Sequence, residues 1–166
     1  LDKRDVQAAW LRDKAKYDGL WELVQDDALT PDRIELYQEL AYRVPGHQDV
    51  INFAVREVYS PEIAERFGQY TEFPEAAGKH AIAAGVRRDD LVKYWAAHWE
   101  LPGVTQGYDM LHRGIIDEET LKLLLRARDV MPWWRDKLIA LSWDLPNRIE
   151  LRMMARYGLV DKPYIM

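Results

Sequence analysis

One helical element recurs three times along the chain and stops at a proline each time. Residues 49–61 align with residues 90–102 at a shift of 41, and residues 99–102 align with residues 143–146 at a shift of 44. Each copy spaces its apolar residues as on one face of a helix, which proline cannot continue. A period of this length is typical of helical-repeat proteins, whose units bury their apolar faces against neighbouring units.

A second helix precedes the first and third copies. Residues 28–36 match residues 115–123 at a shift of 87, about twice the period. Thr30 and Asp117 are predicted N-caps, because a short side-chain oxygen can accept hydrogen bonds from first-turn amides. Pro31 suits the first helical position. We expect each of these helices to end at the next proline.

A third helix lies between each recurring element and the next copy of the second helix, and it begins each unit. Residues 106–117 match residues 150–161 at a shift of 44, with coincident glycine, aliphatic and aspartate positions. Gly114 and Gly158 are predicted left-handed helix stops, and Asp161 is the predicted cap of a following helix. The predicted three-helix units are 20–61, 62–102, 103–146 and a partial unit, 147–166.

The predicted fold is all-α, with units of about 44 residues stacked as a short solenoid or an irregular helical bundle. Residues 73–85 should form the second helix in the middle unit, with Gly78 as a weak point, and residues 1–25 one or two further helices. Strand signals are nearly absent. We expect residues 1–166 to be one domain and a fragment of a longer chain, because the first residue is Leu1 and the last unit is incomplete.

Composition excludes several classes of protein. The chain has no cysteine, so disulfides, thiolate nucleophiles and thiolate metal sites are impossible. Its net charge of −5 is modest, and its basic residues are scattered among acidic ones, unlike the basic stripe of a duplex-binding protein. Its apolar stretches are far shorter than the ~20 residues of a membrane span. We therefore expect a protein that does not enter the membrane.

No catalytic, cofactor-binding or metal-binding motif is recognisable. The four histidines stand outside any ligand motif, and we interpret His98 as a partly buried, hydrogen-bonded packing residue. Acidic runs at 26–27, 89–90 and 117–119 are interpreted as helix caps, because negative charge favours a helix N-terminus. No phosphate-binding loop, nucleophile elbow or zinc-binding helix motif is present. The sequence therefore predicts a protein that is not an enzyme and needs no cofactor.

The tryptophans are the most unusual feature. Trp99 and Trp143 occupy the same position in successive units, which predicts that both are buried in repeat packing, together with Trp95. A stacking platform for single-stranded nucleic acid or sugar is the alternative. Trp133 and Trp134 are adjacent after a proline and cannot face the same side of a helix. At least one should be exposed, so these two residues and Arg135 form the candidate partner surface.

Three segments, 94–106, 110–118 and 132–138, resemble helical-repeat proteins inferred from tailed-bacteriophage and metagenomic viral genomes, where they are described as virion structural proteins. The resemblance extends over about residues 91–166. It implies a virion or assembly role, with other virion or assembly proteins as partners. It also implies residence in the particle, or in the host cytoplasm during assembly. No functional residue carries over from it.

The sequence therefore favours a non-enzymatic structural or protein-interaction module of a phage virion or its assembly. The alternative is a nucleic-acid-associated helical module that uses exposed tryptophans beside basic residues. The basic residues of that alternative are Arg87, Arg88, Lys93, Arg113, Arg126, Arg128 and Arg135. A hydrolase acting through His98 and a nearby carboxylate is a third, less favoured hypothesis.

Overall fold

The structure, a computed structural model, describes residues 1–24 and 29–160. Within these residues every regular element is helical, and the one β-type contact is an isolated bridge between Arg43 and Val86. The all-α prediction is confirmed. The predicted roles of Asp26, Asp27 and Asp161 lie outside the described residues.

The chain divides into two compact units, Leu1–Glu100 and Leu101–Met166. In the described part of the first unit, a short 3-10 helix (Asp18–Leu23) accompanies seven α-helices. These are α1 (Lys3–Arg12), α2 (Lys14–Tyr17), α3 (Pro31–Leu40), α4 (His47–Val55), α5 (Pro61–Arg66), α6 (Glu75–Ala83) and α7 (Arg88–His98). The described part of the second unit contains α8 (Val104–His112), α9 (Glu118–Ala127), α10 (Pro132–Leu141) and α11 (Arg148–Arg156).

Local signals place several helix starts and the glycine stops where we expected them, but the predicted stops at proline are wrong. Helices α3 and α9 end at Leu40 and Ala127, five residues before Pro45 and Pro132. Pro31 is the first residue of α3, and Thr30 occupies the N-cap position, although its side chain makes no capping hydrogen bond. The Asp117 side chain accepts from the Thr120 amide at 2.7 Å and caps α9. Gly114 and Gly158 have φ angles of 66° and 70° and end α8 and α11 in the left-handed conformation.

The middle predicted repeat, residues 62–102, is more regular than its sequence indicates. Helix α6 runs unbroken through Gly78, where we expected a weak point. A helix-interior glycine costs only about 1 kcal/mol relative to alanine, and α6 packs against both α1 and α7. These tertiary contacts stabilise α6 despite the glycine.

The core of the first unit lies where α4 packs against α7. Phe53 is fully buried and meets the Tyr94 ring edge-on, with 4.9 Å between ring centroids. The Tyr94 hydroxyl donates to Asp49 Oδ2 at 2.8 Å, so this contact also satisfies a polar group. Val58, Ala96 and Ala97 complete the cluster.

The core of the second unit is formed by α8, α9 and α10. Leu121 and Leu125 of α9 are fully buried and pack with Ile139 of α10. Gly107 brings α8 close to α9, since a Cβ at this position would lie 2.8 Å from a methyl group of Leu121 and of Leu124. Helix α11 has no buried residue among those described.

Candidate partner surface and aromatic clusters

Trp95 and Trp99, at the C-terminal end of α7, are hydrogen-bonded to the loop at residues 69–71. The Trp95 indole N–H donates to the Thr71 carbonyl at 2.9 Å, and the Trp99 indole N–H donates to the Gln69 carbonyl at 2.8 Å. Both side chains are half-buried. Their polar edges are therefore used to hold the loop after α5, which is a packing role.

His98 lies between these two tryptophans but faces solvent. Its ring centroid is 4.3 Å from that of Trp95 and 4.6 Å from that of Trp99, and Nδ1 is hydrogen-bonded to the Trp95 carbonyl. The prediction that His98 is partly buried is wrong, because the indoles flank the ring without covering it. Within the described residues, its hydrogen bond is to this backbone carbonyl and not to a carboxylate.

Trp143 does not share the environment of Trp99. It is 59% exposed, so the prediction that both residues are largely buried is wrong. Its ring lies against His112 of α8, with centroids 4.3 Å apart. Trp99 owes its burial to the loop at residues 69–71. No described loop carbonyl accepts the Trp143 indole N–H, so position in the period does not determine burial.

Trp133 and Trp134 form an exposed patch on the first turn of α10. They are 61% and 49% exposed, and their rings meet edge-on with centroids 4.4 Å apart. Met131, immediately before the helix, is exposed beside them. We name Met131, Trp133 and Trp134 the tryptophan patch. At least one tryptophan was expected at the surface, and both lie there.

Two cations border the tryptophan patch in different ways. The Lys137 ammonium lies 3.4 Å from the centroid of the Trp133 ring and donates to the Trp133 carbonyl at 3.0 Å. Arg135 is half-buried, and its Nε donates to the Val130 carbonyl at 2.8 Å. Arg135 therefore stabilises the start of α10 through this hydrogen bond, whereas Lys137 makes a cation–π contact with the Trp133 ring.

Helix α10 builds this patch because its core contact is confined to its second half. Pro132 occupies the first helical position, and the buried residue of α10 is Ile139, two turns later. The first turn thus projects beyond the core. Contiguous exposed aromatic surface often marks a site of protein–protein interaction, and tryptophan is enriched at such sites.

The basic residues of the nucleic-acid alternative are largely engaged within the chain. Arg87 pairs with Glu39, Arg88 with Glu75 at 2.6 Å, and Lys93 with Asp90 at 2.9 Å. Arg128 and Arg135 donate to backbone carbonyls. Most of these basic side chains therefore have partners in their own unit, which weakens the case for a phosphate-binding face.

Two titratable groups of the first unit have pKa values that are shifted by their contacts between side chains. Burial, and then the hydrogen bond to Asp49, raise the pKa of Tyr94 to about 12. The hydrogen bond to Asp90 raises the pKa of Lys93. Within residues 1–24 and 29–160, no cluster of three or more acidic or histidine side chains is arranged to hold a metal ion. No helix in this part of the chain has the length and apolar character to cross a membrane.

Comparison with protein-family models, curated proteins and solved structures found no match to this chain.

A second exposed apolar surface, on α11, was not predicted from the sequence. Ile149, Met153 and Tyr157 of that surface are spaced four residues apart and are each more than half exposed. Their helical spacing was visible in the sequence, but it does not indicate whether a neighbouring helix covers them.

Proposed function

We propose that this chain is a non-enzymatic protein-interaction module of stacked three-helix units, which acts in a bacteriophage particle or in its assembly. The carrying observation is the recurrence of helix starts. Copies of the second helix begin at Pro31, Glu75 and Glu118, copies of the recurring element at His47, Arg88 and Pro132, and copies of the third helix at Pro61, Val104 and Arg148. Successive starts in each series are therefore 41 to 44 residues apart.

The third helices add further support for a repeated unit. Helices α8 and α11 are both nine residues long. In each, the third helical residue accepts from the N-cap amide at 2.8 Å: Gln106 from Gly103, and Glu150 from Asn147. Both end at a left-handed glycine, as does the region after α5 at Gly68, where φ is 65°. Equal length, capping and termination favour one ancestral unit used repeatedly.

Repeated helical units favour an interaction role because stacked repeats create extended surfaces on which a partner can bind. The tryptophan patch is the best candidate contact on that surface. Tryptophan is enriched among the residues that dominate binding energy, and truncating such a residue typically costs about 2 kcal/mol or more. The resemblance to virion structural proteins supports another particle protein as the partner.

The experiment compares particles made with the parent protein and with two variants. In Trp133→Ala/Trp134→Ala both rings of the patch are removed, and Trp143→Ala removes an equally exposed ring elsewhere in the same unit. We expect the parent and Trp143→Ala to co-purify with virions. The amount of the double variant in purified particles should be at least tenfold lower than that of the parent. Matching circular dichroism spectra would establish that both variants are folded.

Two outcomes would contradict the proposal. A parent protein that is absent from purified particles would remove the virion role. Equal incorporation of the parent and the double variant would remove the tryptophan patch as the contact.

A further inference from the structure

Helix α11 carries an exposed apolar row that its repeat-equivalent lacks. Ile149, Met153 and Tyr157 lie one turn apart on a single face. The positions 44 residues earlier, on and just after α8, are Thr105, Asp109 and Arg113, which are exposed and polar. The apolar row is therefore not required by packing within a unit, and it needs a separate explanation.

A row of arginines borders this apolar row. Arg148, Arg152 and Arg156 are exposed and share the same four-residue spacing. Each precedes an apolar residue by one position, about 100° around the helix. The exposed strip of α11 thus has one cationic edge and one apolar edge.

Helix α3 carries a strip of the opposite charge. Leu36 and Leu40 lie one turn apart and are each more than half exposed. Glu35 and Glu39, which are also exposed, precede them by one position each. Glu39 also pairs with Arg87 at the edge of this strip. The strip of α3 thus has one anionic edge and one apolar edge.

The order of the rows determines how the two strips can meet. On both helices the charged residue precedes the apolar residue by one position. In a parallel pair, the charged row of each helix would face the apolar row of the other. Reversing one helix places charged row against charged row and apolar row against apolar row. The two strips are therefore complementary only in an antiparallel arrangement.

We propose that α11 of one copy docks antiparallel on α3 of a second copy. The arginine row lies beside Glu35 and Glu39, and Ile149 and Met153 pack against Leu36 and Leu40. Because the two surfaces differ, the contact is heterologous and leaves one strip of each kind for further copies. Copies therefore join head to tail. This inference is independent of the tryptophan patch and of the virion role.

The test is sedimentation velocity of the full chain over a hundredfold range of concentration, at low and at physiological salt. We expect association that rises with concentration and weakens with salt, because exposed charges are screened. Arg152→Glu and Glu35→Arg should each raise the concentration needed for association at least tenfold. Arg113→Glu, an exposed charge reversal just after α8, is the matched control and should leave association unchanged.

Mixing the two interface variants gives the decisive measurement. In a 1:1 mixture, each altered strip meets a strip with the opposite alteration, and each unaltered strip meets an unaltered one. The mixture should associate at least tenfold more strongly than either variant alone. A parent that stays monomeric at low salt would overturn the proposal. So would association that resists both charge reversals, or a mixture that behaves like its separate components.

Discussion

Two helix-interior glycines should respond in opposite ways to the same substitution. Gly78 lies within α6 and Gly107 within α8. A Cβ added at Gly78 would meet no atom within 4 Å, whereas a Cβ at Gly107 would lie 2.8 Å from methyl groups of Leu121 and Leu124. The substitution to alanine thus changes backbone freedom equally at both sites and changes packing at only one.

The expected magnitudes follow from these distances. Alanine in a helix interior is favoured over glycine by about 1 kcal/mol, so Gly78→Ala should raise the free energy of unfolding by about 0.5–1 kcal/mol. At Gly107 the same benefit is opposed by overpacking, which costs about 1–3 kcal/mol. Leu121 is fully buried and cannot move freely away. Gly107→Ala should therefore lower the free energy of unfolding by up to about 2 kcal/mol.

Urea unfolding at 25 °C, followed by far-UV circular dichroism, measures both changes. Each is evaluated on the transition of the unit that contains the residue. Gly107→Val provides a graded third point, because its two further methyl groups should deepen the loss. If Gly107→Ala stabilises its unit as much as Gly78→Ala stabilises the other, the close approach of α8 to α9 is refuted.

Two other perturbations test the cores. Leu121→Ala removes a fully buried side chain and should cost about 2–5 kcal/mol in urea unfolding, whereas the matched change at exposed Leu141 should cost less than about 1 kcal/mol; equal costs would contradict the described core. The pKa of Tyr94 is raised from 10 to about 12 because the folded state favours its neutral form. Its contribution to the free energy of unfolding should therefore be complete below pH 10, the ordinary tyrosine value, and should be lost as pH rises towards 12. The stability advantage of the parent over Tyr94→Phe should therefore shrink across this window, and a constant difference would show that Tyr94 ionises alike in both states.

Features governed by local chemistry were predictable from the sequence. The starts of α3 and α9 follow from Pro31 and Asp117, because a fixed φ angle and a capping carboxylate act within one turn. The left-handed stops at Gly114 and Gly158 follow from the steric freedom of glycine. Each of these signals needs no knowledge of distant residues.

Environments that depend on distant segments were not predictable in this way. The period places Trp99 and Trp143 at equivalent positions, but the carbonyl of Gln69 reaches only the first of them. His98 is exposed because the Trp95 and Trp99 rings on either side of it are hydrogen-bonded to the loop at residues 69–71 and do not cover it. The exposure of both Trp133 and Trp134 depends on where α10 makes its buried contact, which is at Ile139. Burial is thus a property of tertiary contacts, and periodicity alone does not contain it.

The core of the second unit has a consequence for the order in which the chain folds. Its buried residues lie between Leu121 and Ile139, and the side chains packed around them begin at Val104. Such sequence-local contacts close small loops and therefore form rapidly. Helix α11 adds no buried residue to this core. The core can consequently form without α11, so the exposed strip of α11 is carried by a unit whose core does not depend on it.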